Sequence, residues 1–150
     1  GDGLMNENLL EMHEYLGEGY KPLIDFNCWR VAVLRYLDEL QPDRISYFER
    51  HNETDEVFVL LQGQAVLFMG EGDETVETVS PVVMRNGVFY NVKRGAWHTA
   101  ALSRDASILL VENRDTAREN SSYFDLLPEQ SAFLVETVAR EIPEWQALRD

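Results

Sequence analysis

The sequence predicts an all-β protein, a single antiparallel β-barrel or jelly roll with a short helix at each end. Strand-like runs recur through the middle of the chain with turn residues between them at fairly even spacing, the pattern of a sandwich or barrel. Helical periodicity is confined to the two ends. The length of 150 residues, with 45% hydrophobic content, suits one domain with a real core and argues against disorder.

The elements follow in order. Residues 8–16 read as a short helix with Leu9, Met12 and Leu16 on one face, broken at Lys21-Pro22. From Cys28 onward the pattern is that of strands, first over 29–36, where β-formers dominate. Pro42 marks a turn over 40–43, and a second strand covers 44–51. A polar turn at 52–55 leads into a buried strand over 56–61, and Gly63 allows the turn before a strand over 65–69. Gly70-Glu71-Gly72-Asp73 reads as a hairpin tip, and further strands are expected over 75–79, 82–84, 88–92, 99–102 and 107–112. Pro128 suits the first turn of a helix, where a missing N–H costs nothing. Leu134, Val138 and Ile142 then fall on one face. The expected organisation is one domain over 1–150, with the barrel over roughly 28–113 and the closing helix over roughly 128–141.

Bulk charge excludes some partners. A net charge of -14 repels nucleic-acid phosphates and anionic membrane surfaces alike, so any anionic ligand needs a local basic group. No apolar run is long enough to span a bilayer, and the N-terminus lacks the layout of a secretion signal. Cys28 is the single cysteine, so no internal disulfide forms, which fits a cytoplasmic location. The expected partners are a small-molecule substrate and a second copy of the chain, as a homodimer whose contact covers barrel edges and apolar surface.

The chemistry concentrates in two segments. Residues two apart on a strand face the same side, so Glu49 and His51 point together while Arg50 points away. After four intervening residues Glu56 opens the paired strand and can face both across the hairpin, and six further residues separate it from Gly63. Downstream, Gly95 precedes Trp97-His98. Two imidazoles and two carboxylates in one barrel interior suit one divalent first-row cation such as Zn, Mn, Ni or Fe, with a position left open for water or substrate. Glu49, His51, Glu56 and His98 are therefore the candidate metal ligands, and Glu49, His51 and His98 the candidate proton-moving groups. Lys93 and Arg94, the basic residues nearest His98, are candidates to bind a substrate carboxylate.

These spacings resemble the two motifs of the cupin superfamily. The segment from Glu49-Arg50-His51 through Glu56 to Gly63 matches the first motif, with Glu49 where the first histidine usually stands. Lys93-Arg94-Gly95-Ala96-Trp97-His98 matches the second, with Lys93 in place of its proline and Leu102 where asparagine is frequent. The resemblance covers roughly residues 46–113 and implies a cupin barrel holding a small molecule.

Within that superfamily, the run Phe48-Glu49-Arg50-His51 followed by Val57-Phe58-Val59-Leu60 is similar to ureidoglycolate lyases, which split ureidoglycolate into glyoxylate and urea. Gly87-Val88-Phe89-Tyr90, the Trp97-His98 pair and the run from Ile108 to Arg114 also resemble that family. It differs at Glu56, where the lyases tend to have glutamine, at Phe89, where they have asparagine, and at Thr99-Ala100, where they carry a second histidine and a proline. The resemblance implies a lyase-like enzyme acting on a small hydroxy or ureido acid, with Tyr90 joining Lys93 and Arg94 in substrate binding. Two other readings stay open: a non-catalytic ligand-binding or sensor cupin, and a metal-dependent cupin isomerase or dioxygenase.

Overall fold

A computed structural model describes residue 6 and residues 8–145. Ten strands form the body: β1 (Tyr20–Phe26), β2 (Trp29–Arg35), β3 (Tyr47–His51), β4 (Glu56–Gln62), β5 (Ala65–Glu71), β6 (Thr78–Val83), β7 (Phe89–Val92), β8 (Trp97–Leu102), β9 (Ser107–Asn113) and β10 (Ser121–Asp125). One helix, α1 (Pro128–Glu141), follows. The strands form two five-stranded antiparallel sheets, in the orders β1-β2-β9-β4-β7 and β10-β3-β8-β5-β6. This is a jelly roll.

Two apolar layers hold it together. Phe58, Leu60, Leu67, Leu102, Ile108 and Leu110 pack between the sheets, each at most 4% exposed. A second layer lies on the outer face of the β3-β8-β5 sheet, where Phe48, Phe68 and Trp97 meet Leu134 and Val138 of α1. The strand β5 alternates between the two layers, Leu67 inward and Val66 and Phe68 toward the helix, so it is buried on both faces and its sequence reads as a continuous apolar run. Pro128 occupies the first helical turn, and the Gln130 side chain accepts from the Leu127 N–H at 2.9 Å and donates to Val76 O at 3.0 Å. The helix therefore closes over its own barrel.

Two strands lie outside the expected 28–113 span. β1 pairs along β2 at a sheet edge, where Pro22 is tolerated because an edge strand leaves one side of its backbone unpaired, and the register shifts between Pro22 and Ile24. β10 pairs along β3 at the edge of the other sheet. The helix expected over 8–16 does not form: residues 8 and 9 make a turn and the rest is irregular, with Leu9, Met12 and Leu16 exposed. No surface packs against that apolar face, and a helix this short is marginal without such packing. The expected strands 75–79 and 82–84 are instead the single strand β6.

Gly63 makes the β4–β5 turn possible. Its φ is +79°, and a Cβ there would sit 2.6 Å from the Ala106 Cα. Among the described residues, no helix is long and apolar enough to cross a membrane.

Candidate functional site

Strand alternation aims five polar side chains into the space between the sheets. On β3, Phe48 turns toward α1, Arg50 lies 4.3 Å over the Trp97 ring, and Glu49 and His51 face inward. On β8, Trp97 joins the helix layer and His98 faces inward, opposite Glu49 in the strand register. The other sheet contributes Glu56 at the start of β4 and Glu112 near the end of β9. The register that sets Val57 opposite Val111 brings these two carboxylates side by side. All five line a cavity of about 520 Å³.

The hydrogen bonds fix where the histidine protons are. Ser121 donates its one hydroxyl proton to Ala117 O at 2.7 Å, so its oxygen accepts from His51 Nδ1, which lies 2.9 Å away. His98 Nδ1 lies 3.0 Å from Ala96 O, a carbonyl that only accepts. Each neutral ring therefore carries its proton on Nδ1 and presents the lone pair of Nε2 to the cavity. Both Nε2 atoms aim at one oxygen, Glu56 Oε1, at 3.1 Å from His51 and 3.3 Å from His98. That oxygen is buried and has no hydrogen bond of acceptable geometry.

Three lone pairs thus converge in a place shielded from water. The arrangement is repulsive unless positive charge sits among them, either a proton on an imidazole or a metal cation. Burial lowers the affinity of His51 for a proton, but the adjoining Glu56, with Glu49 and Glu112 behind it, more than offsets this and raises its pKa above 6.5. Burial likewise opposes ionisation of Glu56, yet His51 and His98 hold its carboxyl well below the usual range. Glu112 goes the other way: burial and the neighbouring Glu56 charge push it well above the usual carboxylate range.

The residues present fit a divalent cation. Donor atoms of Glu49, His51 and His98 lie within 4.8 Å of one another, as do those of His51, Glu56 and Glu112. Imidazole with carboxylate suits Zn, Mn, Ni or Fe. The bonds from Nδ1 to Ser121 and to Ala96 O are the outer partners that orient ligating histidines.

No protein-family model matches the chain, and no curated protein does. Solved structures do. The chain is similar to the hydroquinone 1,2-dioxygenase of Sphingomonas sp. TTNP3 with 4-hydroxybenzoate bound, with a TM-score of 0.53, 11% identity, and 66% of this chain and 68% of that one covered. It is similar to Streptomyces PAC13 with uridine, with a TM-score of 0.50, 9% identity, and coverage of 73% and 81%. A cupin-2 domain containing protein from Shewanella frigidimarina aligns with a TM-score of 0.45, 18% identity, and coverage of 74% and 95%. What the chain shares with the first two is the jelly-roll fold.

Glu49, His51, Glu56 and His98 come together, and three residues expected to bind substrate do not join them. Lys93 is 76% exposed, with Nζ 3.5 Å from Asp55 Oδ2. The Arg94 backbone N–H donates to Asp55 Oδ1 at 2.7 Å, and the Tyr90 hydroxyl accepts from the Arg85 N–H at 2.9 Å. None of the three lines the cavity. Tyr90, on β7, packs against the apolar layer between the sheets; for Lys93 and Arg94 the reason is the turn before β8. Gly95 has φ +79° and donates to His51 O at 2.8 Å, so the chain swings inward only after it. The residues just before it stay on the outer rim, clasped by Asp55.

Among the cavity-lining residues that the sequence did not single out are Glu112, Tyr20 and Arg118. For Glu112 a signal exists, since Ile108, Leu110 and Glu112 alternate along one strand and put a carboxylate at an interior position. Tyr20 reaches the cavity through the pairing of the edge strand β1, and Arg118 through the turn that leads into the edge strand β10, and neither carries a local signal.

Proposed function

We propose that this chain is a metal-dependent cupin enzyme that converts a small hydroxy or ureido acid, with lyase-like cleavage of a carbinol C–N bond as the reaction. The observation that carries it is the convergence of both histidine Nε2 atoms on the buried, otherwise unpartnered Glu56 Oε1. His51, His98 and Glu56 would hold the cation. A bound divalent cation would polarise the substrate as a Lewis acid.

The chain's own residues supply the rest. His51 and His98 commit their Nδ1 protons to Ser121 and Ala96, so they are placed to bind rather than to shuttle substrate protons. Glu49 faces the cavity from β3 and is the candidate base for the carbinol O–H proton. As the C–N bond breaks, the carbinol oxygen becomes the carbonyl of the acid product, and the leaving nitrogen takes up a proton. Glu112, backed by the Tyr20 hydroxyl, is the proton-carrying pair on the facing sheet. We also propose a homodimer formed through the exposed β1 edge, where Phe26 and Trp29 stand 58% and 41% exposed.

The test is metal analysis of the purified protein, followed by an assay for glyoxylate from ureidoglycolate with and without added Zn, Mn, Ni or Fe(II). Metal uptake with glyoxylate release supports the reading. Metal uptake without turnover on ureidoglycolate removes the lyase assignment and leaves an isomerase, a dioxygenase or a binding cupin. A protein that takes up none of these metals overturns the metal site.

A further inference from the structure

Apart from its two histidines, the cavity wall has five ionisable carboxyl or guanidinium side chains, and all but one are glutamates. Glu39, Glu49, Glu56 and Glu112 line it, and Arg118 is its one arginine or lysine. The guanidinium of Arg118 lies 4.7 Å over the Tyr123 ring. Tyr47 meets Tyr123 edge to face at 5.3 Å, so the platform beneath the arginine is itself braced. Among the described residues, the Arg118 side chain makes no hydrogen bond or ion pair. Its face is occupied by the tyrosine, and its rim of N–H donors is free.

The backbone under Arg118 is held to the site. Arg118 opens a single 3-10 turn, Arg118–Asn120. The Asn120 side chain accepts from the Ala117 N–H at 2.9 Å and donates to Asp115 O at 3.0 Å. Ser121 donates to Ala117 O and accepts from His51. The serine that orients His51 therefore also pins the turn that carries Arg118, so the cation and the metal-binding cluster have a fixed relation.

Strand register gives the span between them. Tyr123 lies opposite Glu49, and Glu49 opposite His98, in one row across three strands. Two interstrand spacings make roughly 10 Å between the Tyr123 and His98 backbones. Side chains that reach into that gap leave a span on the scale of a compound of a few carbons. A guanidinium fork matches the planar geometry of a carboxylate. A wall that carries four glutamates disfavours a doubly charged group such as phosphate more than a monoanion.

We propose that Arg118 is a substrate-binding residue that takes the carboxylate of a short-chain acid whose other end lies at the His51–Glu56–His98 cluster. This rests on the metal-site reading above and gives it a substrate class: short acids with a free carboxylate, excluding their neutral amides. It also moves the anionic anchor from the rim residues Lys93 and Arg94 to the opposite wall of the cavity.

The test is calorimetric titration of zinc-loaded protein with lactate, 3-hydroxybutyrate, their neutral amides and inorganic phosphate, in the wild type, Arg118→Met and Arg118→Lys. Zinc affinity is measured separately in all three. Arg118 is exposed and outside both apolar layers, so both variants should fold. The expected result is acid binding that weakens by about 10- to 100-fold in Arg118→Met, with zinc affinity unchanged and any amide binding unaffected. Arg118→Lys should recover only part of the loss, because it restores charge without the fork. Wild-type protein that binds zinc but no acid overturns the proposal, as does acid affinity that Arg118→Met leaves intact. Preference for phosphate with the same dependence on Arg118 overturns the carboxylate assignment. Failure to bind zinc overturns the underlying site reading, and the acid titration repeated on that metal-free protein then decides Arg118 by the same comparison of variants.

Discussion

The Tyr20 hydroxyl donates to Glu112 Oε2 at 2.5 Å, joining residues 92 positions apart. That bond brings the outermost strand of one sheet into the cavity. Burial and the adjacent Glu112 push the Tyr20 phenol well above its ordinary range, while burial and Glu56 push Glu112 upward. Both shifts favour the protonated form of these groups, next to a Glu56 carboxyl that is held low.

Tyr20→Phe should lower stability by about 1–2 kcal/mol, because it removes the donor and leaves a buried carboxyl oxygen with one partner fewer. Urea denaturation measures this. A change within error would show that the bond contributes nothing.

The metal-free protein should lose stability as pH rises. The folded state raises the pKa of His51 above its ordinary 6.5, so the stability this adds is full below that value and is lost as pH climbs through the raised one. Glu112 acts with the same sign, its contribution fading upward from the ordinary 4.5 toward its raised value. Glu56 is held below 4.5, so its contribution is lost only as pH falls through that lowered value. Thermal melts of chelator-treated protein should give the highest midpoint in mildly acidic buffer and a decline into the alkaline range. Metal should reverse the trend, since ligation displaces the His51 proton and tightens as pH rises.

Ser121→Ala should weaken metal affinity by about 10- to 100-fold while leaving the fold intact. It removes the acceptor that holds His51 Nδ1–H and frees the ring to rotate. Competition with a chromophoric chelator reads the affinity, and far-ultraviolet circular dichroism reads the fold.

Leu134→Ala should cost about 2–5 kcal/mol. Leu134 is fully buried between α1 and the sheet that carries His51 and His98. Denaturant melts should show the loss. A much smaller cost would mean that the helix packs loosely on the barrel.

Light scattering should report a homodimer at micromolar concentration, and Trp29→Glu should shift it to monomer. A wild-type monomer would count against pairing through the β1 edge.

Much of this protein was legible from its residues. The closing helix was expected over 128–141 and is Pro128–Glu141, because a first-turn proline and a 3.6-residue apolar stripe are local signals. Most central strands and the inward aim of Glu49 and His51 follow from alternation, which is equally local. The tertiary structure decided the rest. Residues 8–16 show helical spacing but find no surface to bury it, so they stay irregular. β1 and β10 exist as strands because β2 and β3 offer them edges, which their own sequences do not announce. Lys93 and Arg94 sit next to His98 in sequence yet outside the cavity, since a left-handed Gly95 reverses the chain between them. Tyr20 enters the cavity by strand register, and Arg118 by the 3-10 turn that leads into β10. Strand alternation is a property of neighbouring residues and can be read along the chain, whereas which strands pair depends on the free energy of burying the whole barrel.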